Sequence, residues 1–98
     1  MAVVATAYGN IGNLYGLQGM QDTALICFQR ALKLKEELGD LPGASVNLHN
    51  IASIYIMNKE FSLALEANRK ALSIREKISD KSGMGSSYIN LGEIYLSM

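Results

Sequence analysis

Apolar and small residues recur along the chain at the spacing of an α-helix. Two stretches share the same intervals of three and four: Tyr8, Ile11, Gly12 and Tyr15, then Leu48, Ile51, Ala52 and Tyr55. Such intervals place side chains on one helical face, whereas a half-buried strand alternates every second residue. Later stretches carry a stripe of small and apolar residues with charges on the opposite side. The pattern predicts five helices, over residues 3–17, 21–38, 41–57, 60–78 and 82–97.

A six-residue motif recurs at a spacing of 40 residues. It reads Asn10–Tyr15 in the first copy, Asn50–Tyr55 in the second and Asn90–Tyr95 in the third. Between the copies, Asp40 and Asp80 stand where an N-cap carboxylate would accept the free amides of the next helix. The predicted units of this single domain are repeat 1 at about 1–40, repeat 2 at about 41–80 and half of a third repeat at about 81–98. The half repeat indicates a fragment of a longer array.

The composition narrows the function classes. Nine Lys and Arg balance nine Asp and Glu, so nothing would neutralise a row of phosphates or hold the chain to an anionic membrane. We therefore expect no nucleic-acid partner and no membrane partner. The single cysteine, Cys27, excludes a disulfide framework, and the N-terminus lacks a positively charged signal-peptide region, which favours a cytoplasmic location. Because 49% of the residues are hydrophobic and only 18% charged, some apolar surface is expected to be exposed.

The small and aromatic positions of the motif resemble the tetratricopeptide repeat (TPR). That family sets a large residue, Leu-Gly and Tyr on the first helix of each repeat, and Ala, Phe and Ala on the second. The matching residues of the first copy are Tyr8, Ile11, Gly12, Tyr15, Ala24, Phe28 and Ala31. The resemblance implies an all-α, right-handed α-solenoid of two and a half repeats, whose first helices line a concave face.

Two features depart from the common pattern of the family. The period of 40 residues exceeds the usual 34. It is similar to the longer repeats of kinesin light chains, of spindle adaptors that bind G-protein α subunits and of bacterial peptide receptors. Asn68 stands where the family has an aromatic residue.

A concave groove lined by the first helices is the candidate site that the resemblance implies. The predicted first helices contain one charged residue, Glu93, and no lysine that could clamp a terminal carboxylate. An amide side chain such as that of Asn50 carries both a donor and an acceptor, so it can hold the backbone of an extended peptide. The predicted peptide-binding residues are Asn10, Asn13, Leu17, His49, Asn50, Ser53, Met57, Asn90 and Glu93. The expected function is a protein–protein interaction module, an adaptor that binds a peptide segment of a partner protein.

The polar residues of this set have a second interpretation. The asparagines could bridge adjacent helices or cap carbonyl groups instead of contacting a ligand. His49 could bind an acidic group of a peptide or titrate, or it could be an ordinary packed or solvent-facing side chain.

Catalysis is not expected from this sequence. Cys27 and His49 lie on neighbouring predicted helices, yet Cys27 occupies a small packing position and no third group orients the pair. One Cys and one His cannot build a closed metal site. The prediction is a non-enzymatic protein without catalytic residues, metal or cofactor.

The first and last helices give a second hypothesis for function. In an α-solenoid each repeat covers the apolar face of its neighbour, and terminal elements are polar. The predicted terminal helices instead carry apolar residues for self-association: Val3, Val4, Tyr88, Tyr95 and Leu96. The alternative function is a self-associating scaffold whose uncapped ends drive homo-oligomerisation or domain swapping.

Overall fold

Five α-helices joined by short turns make up residues 2–98, the part of the chain that the computed structural model describes. The helices are α1 (Ala2–Leu17), α2 (Gln21–Leu38), α3 (Leu41–Met57), α4 (Phe61–Lys77) and α5 (Lys81–Ser97). Every boundary lies within one residue of its predicted position. The predicted all-α helical repeat fold is confirmed.

One boundary changes the charge of the predicted groove helices. Because α5 begins at Lys81 rather than at residue 82, α1, α3 and α5 together contain two charged residues, Lys81 and Glu93. The expectation of a single charge was therefore wrong by one. Lys81 lies in the first turn of α5 and is exposed.

Capping residues set the ends of the helices. Asp40 and Asp80 each accept a hydrogen bond from the backbone N–H three residues later, at 3.0 and 2.9 Å. Each bond satisfies an amide that the first helical turn leaves without a partner. Gly39 ends α2 in the left-handed conformation with φ 70°, and Ser79, its equivalent after α4, has φ 57°. The two repeats thus turn in the same way with different residues.

The helices lie in two layers. Each helix packs on the next one along the chain. The molecule measures 38 × 32 × 19 Å, and its smallest dimension is close to two helix diameters of about 10 Å. Accordingly α1, α3 and α5 form one layer, and α2 and α4 form the other.

The core lies between α2, α3 and α4. Its buried members are Ala24, Phe28, Ile51, Ala52, Ile54 and Ala67. Small residues keep the helices close, and Ala31 and Ala71 are completely buried. A Cβ atom at Gly12 would lie 2.9 Å from Cε1 of Phe28, so the aromatic ring takes the space that a side chain would need. The absence of a side chain at Gly12 thus lets α1 and α2 approach closely.

Candidate functional site

A groove runs between α1 and α3 and reaches down to the core. It encloses about 380 Å³. Phe28 and Ile54, both buried, form its floor. The residues that line this α1/α3 groove are Asn13, Gly16, Leu17, Gln21, Phe28, Asn50, Ser53, Ile54 and Met57. The groove brings together five of the nine predicted peptide-binding residues: Asn13, Leu17, Asn50, Ser53 and Met57.

The polar groups of the α1/α3 groove are neutral and only partly engaged. Ser53 Oγ donates to the carbonyl oxygen of His49 at 3.1 Å. Within residues 2–98, the side-chain amides of Asn13 and Asn50 make no hydrogen bond, and they stand on opposite walls. Both amides therefore keep a donor and an acceptor for another molecule.

A further acceptor without a partner lies in the wall of the α1/α3 groove. Gln21 Nε2 donates to the carbonyl oxygen of Gly16 at 3.4 Å. Its Oε1 is shielded from solvent and accepts no hydrogen bond from the described residues. A buried acceptor in this state carries a desolvation cost of about 1–3 kcal/mol. A donor from a bound molecule would remove that cost if the Gln21 side chain turned toward it.

One end of the α1/α3 groove is apolar. Leu17 closes α1 with 86% of its surface exposed, and Met57 closes α3 with 58% exposed. A Cβ atom at Gly16 would meet only Ala24 Cβ, at 4.0 Å. The groove therefore has free space beside Gly16, in contrast to the filled space beside Gly12.

Four groove residues were missed by the sequence analysis: Gly16, Gln21, Phe28 and Ile54. Gln21 and Phe28 belong to α2, whereas the resemblance implied a lining from the first helices alone. The position of Phe28 in the groove could have been predicted from the sequence. Phe28 is the aromatic residue of the repeat motif, and a residue that packs beneath two first helices forms the bottom of the space between them.

His49 and Asn90 lie elsewhere, where α3 meets α5. Asn90 Nδ2 lies 3.3 Å from His49 Nδ1, and only 8% of the Asn90 surface is exposed. The amide of Asn90 thus joins two helices, as in the second interpretation of the asparagines. The three asparagines at equivalent positions differ in environment, since Asn10 is exposed and Asn50 is half-buried.

A buried arginine extends this contact to α4. Arg75 Nη1 donates to the carbonyl oxygen of Gly83 at 3.0 Å and to Ser87 Oγ at 2.9 Å. The same nitrogen lies 3.4 Å from His49 Nδ1. Beside it, the fully buried Asn68 donates to the carbonyl oxygen of Ser87 at 2.9 Å. Asn68, which departs from the family pattern, therefore links α4 to α5 through a hydrogen bond.

The pKa of His49 reflects this setting. Burial lowers its pKa, and the neighbouring Arg75 guanidinium lowers it further. Both effects disfavour the charged ring.

Asn10 and Glu93 belong neither to the α1/α3 groove nor to the contact between α3, α4 and α5. Asn10 lines a separate hollow of about 400 Å³ near the start of α1, together with Val3 and Thr6. Glu93 is exposed on α5 and forms no ion pair within residues 2–98.

Comparison with known proteins identifies the repeats. Family models described as tetratricopeptide repeat match residues 5–38 and residues 48–81. Together the two matches cover more than two thirds of the chain. The chain belongs to the tetratricopeptide repeat family. The second match is to the longer, kinesin-light-chain-like variety of TPR, in agreement with the long period. A comparison with curated proteins gave no significant match.

Family membership gives the general type of function. Tetratricopeptide repeats generally mediate protein–protein interaction and are typically non-enzymatic. Among residues 2–98, no group of three His, Cys, Asp or Glu side chains is placed to hold a metal ion. None of the helices over the same residues has the length and apolar character that crossing a bilayer requires.

The outer faces of the terminal TPR helices are apolar and exposed. Val3 is 82% exposed on α1, and Leu96 is 91% exposed on α5. Val4, Tyr88 and Tyr95 are also exposed. A Cβ atom at Gly92 would meet no atom of residues 2–98 within 4 Å, although Gly12 at the equivalent position of repeat 1 faces Phe28. The expected exposure of apolar surface is confirmed for these five residues.

Proposed function

We propose that this TPR chain is an adaptor that binds an extended peptide segment of a partner protein in the α1/α3 groove. The observation that carries the proposal is the pair Asn13 and Asn50. Both amides line the same groove, from α1 and from α3, together with the apolar Phe28 and Ile54. A cytoplasmic site of action is part of this proposal.

Recognition would combine backbone bonds with one apolar pocket. Each asparagine amide can donate to a peptide carbonyl and accept from a peptide N–H, which reads an extended backbone without reading its side chains. Phe28 and Ile54 offer an apolar floor for one side chain of the ligand. Because none of the described residues that line the groove is charged, the segment in contact with it should be uncharged, since a charge would lose water without gaining a partner.

The first experiment selects a ligand and then blocks the groove. A random-peptide phage library is panned on the wild-type chain, and the best peptide is synthesised with a fluorescent label for anisotropy measurements. The blocking variant is Gly16→Leu, because a Cβ atom at Gly16 makes only an ordinary contact, with Ala24 Cβ at 4.0 Å among the described residues, and leucine favours a helix by roughly 0.5–1 kcal/mol over glycine. We expect Gly16→Leu to abolish binding while its melting temperature stays equal to or above that of the wild type.

A second variant removes hydrogen bonds instead of space. Asn50→Ala should weaken the same peptide by roughly two- to twelvefold, since a net hydrogen bond contributes about 0.5–1.5 kcal/mol, with little change in melting temperature. Gln29→Ala, on the exposed outer side of α2, is the matched control and should bind like the wild type. If Gly16→Leu and Asn50→Ala both bind the peptide with unchanged affinity, the groove is not the site.

The alternative proposal is a self-associating scaffold, and the exposure of Leu96 and Val3 supports it. A second copy would cover the apolar faces of α1 and α5, as contiguous exposed apolar surface commonly marks an interface. Light scattering over a concentration series tests this directly. A dimer or larger species that Tyr95→Glu and Leu96→Lys convert to a monomer would support the alternative. Ile26→Lys, on the exposed outer side of α2, serves as the control.

A further inference from the structure

Three helices meet at a single ring nitrogen of His49. From α4, Arg75 Nη1 approaches His49 Nδ1 to 3.4 Å, and from α5, Asn90 Nδ2 approaches it to 3.3 Å. The two hydrogens of Arg75 Nη1 serve Gly83 and Ser87, so its approach to Nδ1 is a contact between a cation and the ring, and the donor to Nδ1 is the amide of Asn90. With Nδ1 accepting from Asn90, the ring is neutral and its proton is on Nε2.

We propose that His49 is a pH-sensitive latch, which holds α5 against α3 and α4 while its ring is neutral and releases α5 when Nδ1 is protonated. Protonation turns this acceptor into a donor. The new N–H would then face two donors, and a positive ring would face the positive Arg75. This device concerns the junction of α3, α4 and α5, so it does not depend on whether the α1/α3 groove binds a peptide.

The surroundings offer the charged ring no compensating partner. Helix α3 itself contributes no charged residue, and neither does α1. Among the described residues, no carboxylate oxygen lies within 4.0 Å of a His49 ring nitrogen. On α2, Lys35 is paired with Asp40 at 3.0 Å.

On α4, on α5 and at the N-cap of α5, one charged group faces His49 directly. Arg75 is the charged group that α4 directs at His49, and Lys81 and Glu93 of α5 are both exposed. Asp80 acts on Arg75, where its charge opposes the effect of burial on the arginine pKa.

Arg75 cannot move away easily, whereas Asn90 can adapt. The guanidinium is held by Gly83 and Ser87, and only 6% of the Arg75 surface is exposed. By rotating its amide, Asn90 could present an oxygen to the protonated ring. Arg75 has no such alternative, so the like-charge contact would remain until α5 or α4 shifts.

The polar contacts that attach α5, beside the fully buried Ile94, include groups that lack a partner within residues 2–98. Arg75 Nε and Asn68 Oδ1 are buried and have no partner among the described residues. Some polar groups in this buried network thus already lack a hydrogen-bond partner in the described part of the chain. When another hydrogen bond is lost, no alternative partner is available to replace it. Loss of the His49 acceptor should therefore loosen this junction selectively, and not the apolar junction around Phe28.

The direction of the pH dependence follows from the pKa of His49. Burial and then Arg75 lower that pKa in the folded chain, whereas an unfolded histidine titrates near 6.5. The unfolded or detached state therefore binds more protons between the two pKa values. Attachment of α5 is strongest above about pH 6.5 and weakens as the pH falls from there toward the lower folded pKa.

The test follows the only histidine of the chain by NMR. The ring is titrated from pH 7.5 to pH 5 in the full chain, and amide exchange of α5 is measured over the same range after correction for intrinsic rates. Amides of α2 are the internal reference. We expect the Nε2–H tautomer at pH 7.5, a midpoint below 6.5, and a severalfold loss of α5 protection in that window with α2 unchanged.

Two variants separate the latch from general acid sensitivity. His49→Asn keeps an oxygen acceptor near the Nδ1 position but does not titrate, so its α5 protection should be independent of pH. Arg75→Met should raise the His49 midpoint toward its ordinary value in the NMR titration. An Nδ1–H tautomer at pH 7.5, a midpoint at or above 6.5 in the wild type, or an equal loss of α5 protection in His49→Asn would overturn the proposal.

Discussion

The two junctions between repeats share a backbone arrangement but differ in chemistry. Where α2 meets α3, Phe28 packs into an apolar cluster with Ile51 and Ile54. Where α4 meets α5, Asn68 stands at the position equivalent to Phe28, and a polar network that includes Arg75 joins the helices. The repeat therefore specifies where helices cross, and individual residues decide what holds them there.

The difference matters because the two kinds of contact respond differently to change. Apolar burial is non-directional and independent of protonation, so the first junction should tolerate changes in pH. The second junction buries Ile94 but also contains directed bonds between buried groups, each of which becomes costly when its partner is removed. The chain thus has one junction that should be insensitive to pH and a second junction whose stability should depend on pH.

The largest expected effect comes from emptying the apolar junction. Phe28→Ala should destabilise the chain by about 3–5 kcal/mol, because it removes a buried ring and leaves a cavity. Asn68→Ala at the equivalent position should cost about 1–3 kcal/mol, which is the loss of one buried hydrogen bond to Ser87. Urea unfolding of both variants measures the two values. Equal losses would show that the two junctions do not differ in kind.

Removing the basic side chain at each junction, Arg75 or Lys35, should give the next largest effect on stability. Arg75→Ala should cost about 2–3 kcal/mol, since hydrogen bonds from a charged group to buried acceptors contribute about 1.5–3 kcal/mol. Lys35→Ala, at the equivalent position, removes a pair with the partly exposed Asp40 and should cost no more than about 1 kcal/mol. Chemical denaturation at pH 7.5 distinguishes these outcomes. A smaller loss for Arg75→Ala than for Lys35→Ala would contradict the assignment of the polar network.

Two glycines at equivalent positions should respond with opposite signs. Gly12→Ala places a Cβ atom 2.9 Å from the Phe28 ring and should destabilise by about 1–2 kcal/mol. Gly92→Ala meets open space and should stabilise by about 0.5–1 kcal/mol, because alanine favours the helix. At this chain length, 1 kcal/mol shifts the melting temperature by about 4–8 °C. Stabilisation by both substitutions would mean that α1 does not approach α2 this closely.

Substitutions in the turns that follow α2 and α4 should have the smallest effect on stability. Ser79 has a positive φ at the position where repeat 1 uses Gly39. Ser79→Gly should raise stability by about 0.5–1 kcal/mol, after the extra freedom of glycine in the unfolded chain offsets part of the relieved strain. Gly39→Ser should lower stability by a similar amount. Differential scanning calorimetry of both variants checks the signs, which must be opposite if both turns are left-handed.

The local sequence pattern was sufficient to predict the helices, but it was not sufficient to predict how deeply each side chain is buried. Caps such as Asp40 and the three-and-four spacing act within one or two turns, so the boundaries could be predicted to one residue. The face shared by Asn13 and Asn50 also follows from helical spacing and the 40-residue period. Asn90 shares the repeat position of Asn50 yet is buried, because it lies against His49 of α3 where α5 packs on that helix.

The polar junction could not be predicted for a physical reason. Asn68 binds a carbonyl oxygen 19 residues later, and His49 meets side chains 26 and 41 residues away. These contacts depend on the crossing geometry of three helices, which periodicity does not determine. The one available signal was Asn68 itself, a polar residue at an aromatic position, and a buried amide at such a position requires a partner.

The central functional claim is that the α1/α3 groove holds the peptide, and chemical-shift mapping tests it most directly. The ¹⁵N-labelled chain is titrated with the phage-selected peptide, and backbone and side-chain amide shifts are followed. The account predicts the largest shifts at Asn13, Gly16, Asn50 and Ser53, with the Asn13 and Asn50 side-chain amides among them. Shifts confined to the ends of the chain, around Val3 and Leu96, would contradict it and favour self-association.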